Sequence, residues 1–133
     1  MADIPPVSDP ALLQTVIDSI PDIIFYKDLG GIYRAGNQAW GELLGRPVSE
    51  TLGKSDYDLF PHDIAAFFKD KDAAMLAGGQ SRRNEEWLDY PDGRRVLVDT
   101  LKAPVVNRNG QLIGLVGVCR DITARSPANP TDA

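Results

Sequence analysis

The sequence predicts an α+β fold: a single antiparallel sheet with helices over one face. Three observations predict it. Strand-like segments come in two hairpin groups, one of two strands and one of three, with helical stretches between them. The turns inside those groups, LGG (29–31), PDG (91–93) and NRNG (107–110), are of the kinds that join antiparallel neighbours. The last strand, QLIGLVGVCRDIT (111–123), is apolar on both alternating sets: Ile113, Leu115 and Cys119 on one, Leu112, Val116 and Val118 on the other. A strand apolar on both sides is a central strand covered twice.

The elements follow in order. Residues 1–8 are Pro-rich and read as a flexible N-terminus. Asp9-Pro10 starts a helix over 9–20, with a carboxylate for the free amides and Pro at the first helical position. Its Leu12, Leu13, Val16, Ile17 and Ile20 form an apolar stripe that wants burial, and Pro21 ends it. DIIFYKD (22–28) and IYRAGN (32–37) read as the first hairpin. Asn37 stands where a cap belongs, ahead of the helical QAWGELLG (38–45), which Gly45 closes. Residues 46–60 are irregular, with helical turns expected near Ser49 and Asp56. From Pro61 to Leu76 the pattern is helical, with Ile64, Phe67, Phe68 and Met75 on one side, and Gly78-Gly79 stops it. RRNEEWLDY (82–90), RRVLVDTLKAPVV (94–106) and 111–123 form a meander, and 124–133 is too poor in apolar residues to fold, so it reads as a tail or linker. The mid-chain helices cover one sheet face; the 9–20 helix or a second subunit is the candidate cover for the other.

At 133 residues the chain has the size of one domain, assigned here to 21–123 with the 9–20 helix before it. A net charge of −5 and interleaved acidic and basic residues argue against a nucleic-acid partner, which needs a basic stripe. No apolar run reaches the roughly 20 residues that span a bilayer. The start lacks a signal-peptide pattern, and the single cysteine cannot form an internal disulfide; together these favour the cytoplasm.

Catalytic and metal motifs fail on inspection. Gly53-Lys54-Ser55 resembles the end of a phosphate-binding loop, but Val48 stands where its first glycine is required. Asp56-x-Asp58 opens like a calcium loop, yet Phe60 takes the place of the third oxygen ligand. His62 is the lone histidine and has no sequence neighbours with which to build a zinc site. No nucleophile elbow is present, so neither a catalytic residue nor a metal ligand is assigned, and the expectation is a chain that is not itself an enzyme.

Taken in order, PDIIFYKDLGGIYRAGNQAW (21–40), LLGRP (43–47), GKSDYDLFP (53–61), EEWLDYPDGRR (85–95) and GLVGVCRDIT (114–123) resemble a PAS domain, the sensory module of bacterial signalling proteins such as sensor histidine kinases. The resemblance implies a five-stranded sheet of order 2-1-5-4-3, helices enclosing a cavity on one face, and a signal exit at Asp121, Ile122 and Thr123. It leaves the cofactor open. The run that carries the adduct-forming cysteine in flavin photosensors of the family is matched by Gly53–Tyr57, where Asp56 can form no thioether, and Cys119 takes the place of their glutamine. Haem-binding members need an axial histidine where this chain has Phe67 and Phe68, with His62 falling too early.

Alternation from Cys119 puts Leu115 on the helix-facing side, joined by Val98 and Thr100 of the neighbouring strand. Trp40, Leu44, Phe60 and Phe68 would close a pocket from the helices, with Asn37 bracing its wall and Asp56 as a polar recognition group. These residues serve equally as plain core, and Asp56 as a helix cap with Ser55. Two functions are expected of such a chain. One is a non-catalytic sensory and homodimerisation module that relays a small-molecule or partner signal to an effector such as a histidine kinase, with the 9–20 stripe in the dimer. The other is a stand-alone small-molecule-binding regulator of a partner protein.

Overall fold

The computed structural model describes residues 9–125. The expected flexible stretch 1–8 and residues 126–133 of the expected tail lie outside the described residues. The first helix, α1 (Pro10–Asp18), begins as its sequence dictates, with Asp9 Oδ1 accepting from the Ala11 amide at 2.9 Å. Strands β1 (Ile23–Asp28) and β2 (Tyr33–Gly36) make the first hairpin. Helix α2 (Gln38–Leu44), a 3₁₀ turn at Val48–Glu50, the short α3 (Asp56–Leu59) and the long α4 (His62–Gly78) follow. Gly45 and Gly79 close α2 and α4 in the left-handed conformation. Strands β3 (Arg82–Asp89), β4 (Arg95–Val106) and β5 (Leu112–Asp121) complete an antiparallel sheet of order β2-β1-β5-β4-β3. The last strand is central, as its two apolar faces require.

Helices α2, α3 and α4 roof one face. Ile23 and Phe25 of β1, Val96 and Val98 of β4, and Leu115 and Cys119 of β5 meet Trp40 and Met75 from above. Two expectations need correction. Ile113 does not continue the inward row of Leu115 and Cys119: the register slips between Val105 and Val106, Gly114 pairs with Val105 while Leu112 pairs with Val106, and Ile113 is the extra, exposed residue. A bulge reverses the parity that simple alternation assumes.

Helix α4 is rotated from its expected setting. Its inward positions are Ala65, Phe68, Asp72 and Met75, whereas Ile64 is exposed and Phe67 is 52% exposed. Asp72 accepts two ammonium contacts from the sheet, and those fix which side of the helix faces inward.

Helix α1 buries no residue: Leu12 and Ile17 are half-buried, while Leu13, Val16 and Ile20 are exposed. Within this chain its stripe remains largely uncovered. The outer sheet face, with Val116 and Val118 half-buried and Leu112 exposed, is likewise only partly covered.

The anchor of α1 is Asn37, fully buried at the junction of α1, β1 and α2, beside the Gln14–Gly36 and Asp18–Gln38 bonds at the surface. Its Oδ1 accepts from the Ile24 amide at 3.0 Å and, as the α2 cap, from the Trp40 amide at 3.1 Å. Its Nδ2 faces the carbonyls of Ile17, Ile20 and Asp22 at 2.9, 3.2 and 2.8 Å. Removing this amide strands buried backbone groups on three elements. Asn37→Ala is therefore expected to destabilise the domain by about 2–4 kcal/mol. Urea unfolding would measure that loss, and hydrogen exchange should show protection falling first at Thr15–Ile20.

Candidate functional site

Between sheet and roof lies a cavity of about 280 Å³. Its floor is β1, β4 and β5, through Ile23, Phe25, Thr100 and Cys119; Trp40, Leu43, Phe60 and Phe68 form the roof, and Glu86 to Asp89 of β3 the mouth. The aromatic wall is continuous. Tyr33 stacks on Trp40 with ring centres 4.8 Å apart, Phe25 lies 5.0 Å from Trp40, and Phe60 meets Phe68 edge-on at 5.2 Å. Two glycines make room for it. A Cβ on Gly36 would stand 2.4 Å from Trp40 Cδ1, and one on Gly117 would stand 2.2 Å from Phe25 Cζ. Phe25 pairs directly with Gly117 across the ladder and lies over the position where a side chain would be.

One end of the cavity is closed by an ion network that the sequence reading did not find. Lys27, 1% exposed, takes the inward position after Ile23 and Phe25. Its Nζ lies 2.6 Å from both Asp56 Oδ2 and Asp72 Oδ2, and 4.9 Å from the centre of the Tyr33 ring. Tyr33 donates its hydroxyl to Asp56 Oδ1, and Lys102 Nζ reaches Asp72 Oδ1 at 2.7 Å. Burial first, then the Asp56 carboxylate, pushes the Tyr33 phenol far above its ordinary range, so it remains a proton donor. Asp56 does not cap α3: Ser55 and Asp58 form the capping box, leaving the Asp56 side chain to turn inward.

The five cavity residues that sequence and structure share are Trp40, Phe60, Phe68, Thr100 and Cys119. The other five candidates fall elsewhere. Asn37 is the junction residue described above. Leu43 lines the cavity in place of Leu44, which packs against the core one step round α2. Val98 is fully buried in the core without reaching the hollow. Leu115 and Asp56 lie beyond Lys27, in a second hollow of about 230 Å³ under the β1–β2 turn. The ion network separates the two spaces, and no apolar period announces such a wall. A signal did exist: Lys27 shares its parity with Ile23 and Phe25.

Cys119 accepts a hydrogen bond from the Thr100 hydroxyl at 3.5 Å, and burial raises its thiol to about 11. It stays protonated near neutrality and has no thiolate to offer a redox partner or metal. His62 is exposed at the start of α4, its ring 5.1 Å from that of Tyr57. Among the described residues no group of three or more His, Cys, Asp or Glu is placed to hold a metal. No helix among them is long and apolar enough to cross a membrane.

The strand end two residues past Cys119 is pinned to β4. The Ile122 amide donates to Leu97 O at 2.9 Å, and the Leu97 amide donates to Thr123 Oγ1 at 3.1 Å. Asp121 Oδ1 accepts from the Thr123 amide at 2.9 Å, and Ile122 is buried.

Removing Lys27 alone leaves two carboxylates buried beside a single remaining ammonium. Lys27→Met is expected to cost about 3–5 kcal/mol in urea unfolding, and the double variant Lys27→Met, Asp56→Asn, which leaves the Lys102–Asp72 pair intact, to recover most of that loss. Equal stability of the single variant and the parent would show that the network is not the internal brace described here.

The comparisons with known proteins agree with this geometry. The family model described as PAS fold matches residues 17–127. The aerobic respiration control sensor protein ArcB of Escherichia coli (strain K12) is 31% identical over 115 residues, covering 86% of this chain and 15% of that protein. The methanogenesis regulatory histidine kinase FilI of Methanothrix harundinacea (strain 6Ac) is 31% identical over 110 residues, covering 83% and 12%. The chain thus spans only a small part of these relatives' length. Among solved structures, a ligand–DNA complex of VqmA from Vibrio cholera superposes with a TM-score of 0.77 at 25% identity, covering 89% of this chain and 54% of that one. By the matched family model, the sheet order and the roofed cavity, this chain belongs to the PAS-fold family.

Proposed function

We propose that this PAS domain is a sensory module that takes a small molecule into the cavity beneath α2–α4 and relays its presence through β5 to an effector, such as the kinase region of a histidine kinase. The single observation that carries the proposal is the placement of the cavity floor and the strand exit on one central strand, with Cys119 two residues before Asp121. The similarity to a sensor protein and to a regulatory histidine kinase supports it. The domain itself performs no catalysis in this reading; any transfer chemistry belongs to other parts of a parent protein. It works in the cytoplasm.

The uncovered α1 stripe supports the second half of the proposal, a homodimer. Leu13 and Val16 are each 49% exposed, and a second copy is the partner that would bury them. A different output is favoured by the likeness to VqmA: a ligand-binding regulator that acts on its partner directly. The DNA contact of that complex is not carried over, because this chain has a net charge of −5.

Two outcomes are expected. Mass spectrometry of the denatured, freshly purified chain should release a small molecule in stoichiometric amount, and Cys119→Leu, which fills the floor, should remove it. A chain that emerges empty, and whose melting temperature no metabolite extract moves, sinks the small-molecule reading. The pair Leu13→Asp and Val16→Asp should halve the sedimentation mass while leaving the thermal melting of the domain unchanged, since neither side chain belongs to its core. An unaltered mass would assign dimerisation, if there is any, to another surface.

A further inference from the structure

The polar groups of the cavity, counted hydrogen by hydrogen, restrict what it can accept. An ammonium has three hydrogens to give. Lys27 gives two, to Asp56 and Asp72, and its third meets no acceptor oxygen or nitrogen among the described residues, only the faces of Tyr33 and Phe25 at 4.9 and 5.8 Å from the ring centres. Lys102 gives one, to Asp72, and has two more. Thr100 spends its hydroxyl hydrogen on Cys119 Sγ. Both lysines line the cavity, so its free charged donors all belong to ammonium groups.

Charge narrows the choice further. Lys27 and Lys102 face Asp56 and Asp72, so the cluster is neutral as it stands. Glu86 at the mouth adds negative charge. An anion would leave the enclosed space with uncompensated charge next to Glu86, and a cation would bring its own donors against the ammonium groups. The remaining walls, Phe25, Trp40, Phe60 and Phe68, are aromatic faces that suit a flat ring. A volume of about 280 Å³ lies at the small end of ligand sites, room for a ring of one or two cycles.

We infer that the cavity selects an uncharged, planar, ring-bearing molecule whose carbonyl-type acceptor takes hydrogens from Lys102 and Lys27. This rests on the proposed reading of the cavity as a ligand site and names the class of molecule that site recognises. The lysines then have two roles at once: they brace α4 through Asp72, and they present unspent hydrogens to the guest.

Four probes of similar size and different polarity test it: benzamide, benzoate, benzylamine and toluene. The chain is first refolded from urea to free it of any carried ligand, and each probe is then titrated against the amide resonances of Thr100 and Cys119 and the tryptophan fluorescence, to which Trp40 and Trp87, both lining the cavity, contribute. Benzamide should bind roughly tenfold or more tightly than each of the other three, the difference one charge-assisted hydrogen bond makes. Lys102→Met, which keeps the apolar stem, should abolish the preference for benzamide over toluene measured side by side in the variant. Benzoate binding as tightly as benzamide overturns the class. Toluene equalling benzamide in the parent chain also overturns it, while the cavity survives as an apolar ligand site. If none of the four perturbs Thr100 or Cys119, both the class and the ligand-site reading fail.

Discussion

A lysine ammonium buried under an aromatic roof is the constraint on which the rest of this structure depends. Taking such an ion out of water costs several kcal/mol even after relaxation, and the cost is met only if its partners are buried with it in good geometry. Lys27 obtains them from two helices, Asp56 from α3 and Asp72 from α4, each at 2.6 Å, while Lys102 of β4 completes the set. The four side chains thus tie together β1 and β4, the two strands that flank the central β5, and both downstream helices. They set the rotation of α4 even at the expense of leaving Phe67 in solvent. They also divide the interior, so the cavity ends where the network begins.

The aromatic half of the site answers a different constraint, that of close approach. Phe25 can lie flat across β5 only because Gly117 offers no Cβ, and Trp40 can close on β2 only because Gly36 offers none. Glycine inside a strand weakens the strand locally. Here that loss is exchanged for ring-on-ring contacts along Tyr33, Trp40 and Phe25, and for a floor low enough to leave space above it.

What the sequence revealed was decided by local chemistry. Asp9-Pro10, Asn37, Gly45 and the three hairpin turns act within a few residues of themselves, so their elements could be read directly. The central place of β5 was legible because being covered twice leaves a mark on both faces of a strand. Two misplacements share one cause: Phe67 for Asp72 on the inward side of α4 and Ile113 for the row of Leu115 follow from extending an apolar period past the point where a polar contact or a bulge resets it. Leu44 for Leu43 is a choice between adjacent leucines of α2 that both pack against the core. Asp56, expected in the pocket or beside Ser55 as a cap, does neither: Asp58 completes the capping box with Ser55, and Asp56 turns inward to Lys27. Lys27 was hidden most completely, since its counter-ions lie 29 and 45 residues away.

The consequence for any relay lies in how unevenly β5 is held. Its middle is locked between β1 and β4 by a full ladder, with Gly117 and Cys119 beneath the cavity. Its end hangs on Leu97, which gives one hydrogen bond and receives another, and on the buried Ile122. Two such bonds at a strand end, where water competes, are worth about 1 kcal/mol apiece. Under the proposed function, a guest that prefers one setting of the floor by a few kcal/mol would redirect the exit at Asp121 without disturbing the ladder, because a ligand shifts an equilibrium by its differential affinity for the two states and by no more. In the proposed relay, the braced interior would keep the strain of a guest from dissipating into α4, and the lightly held exit would give way first.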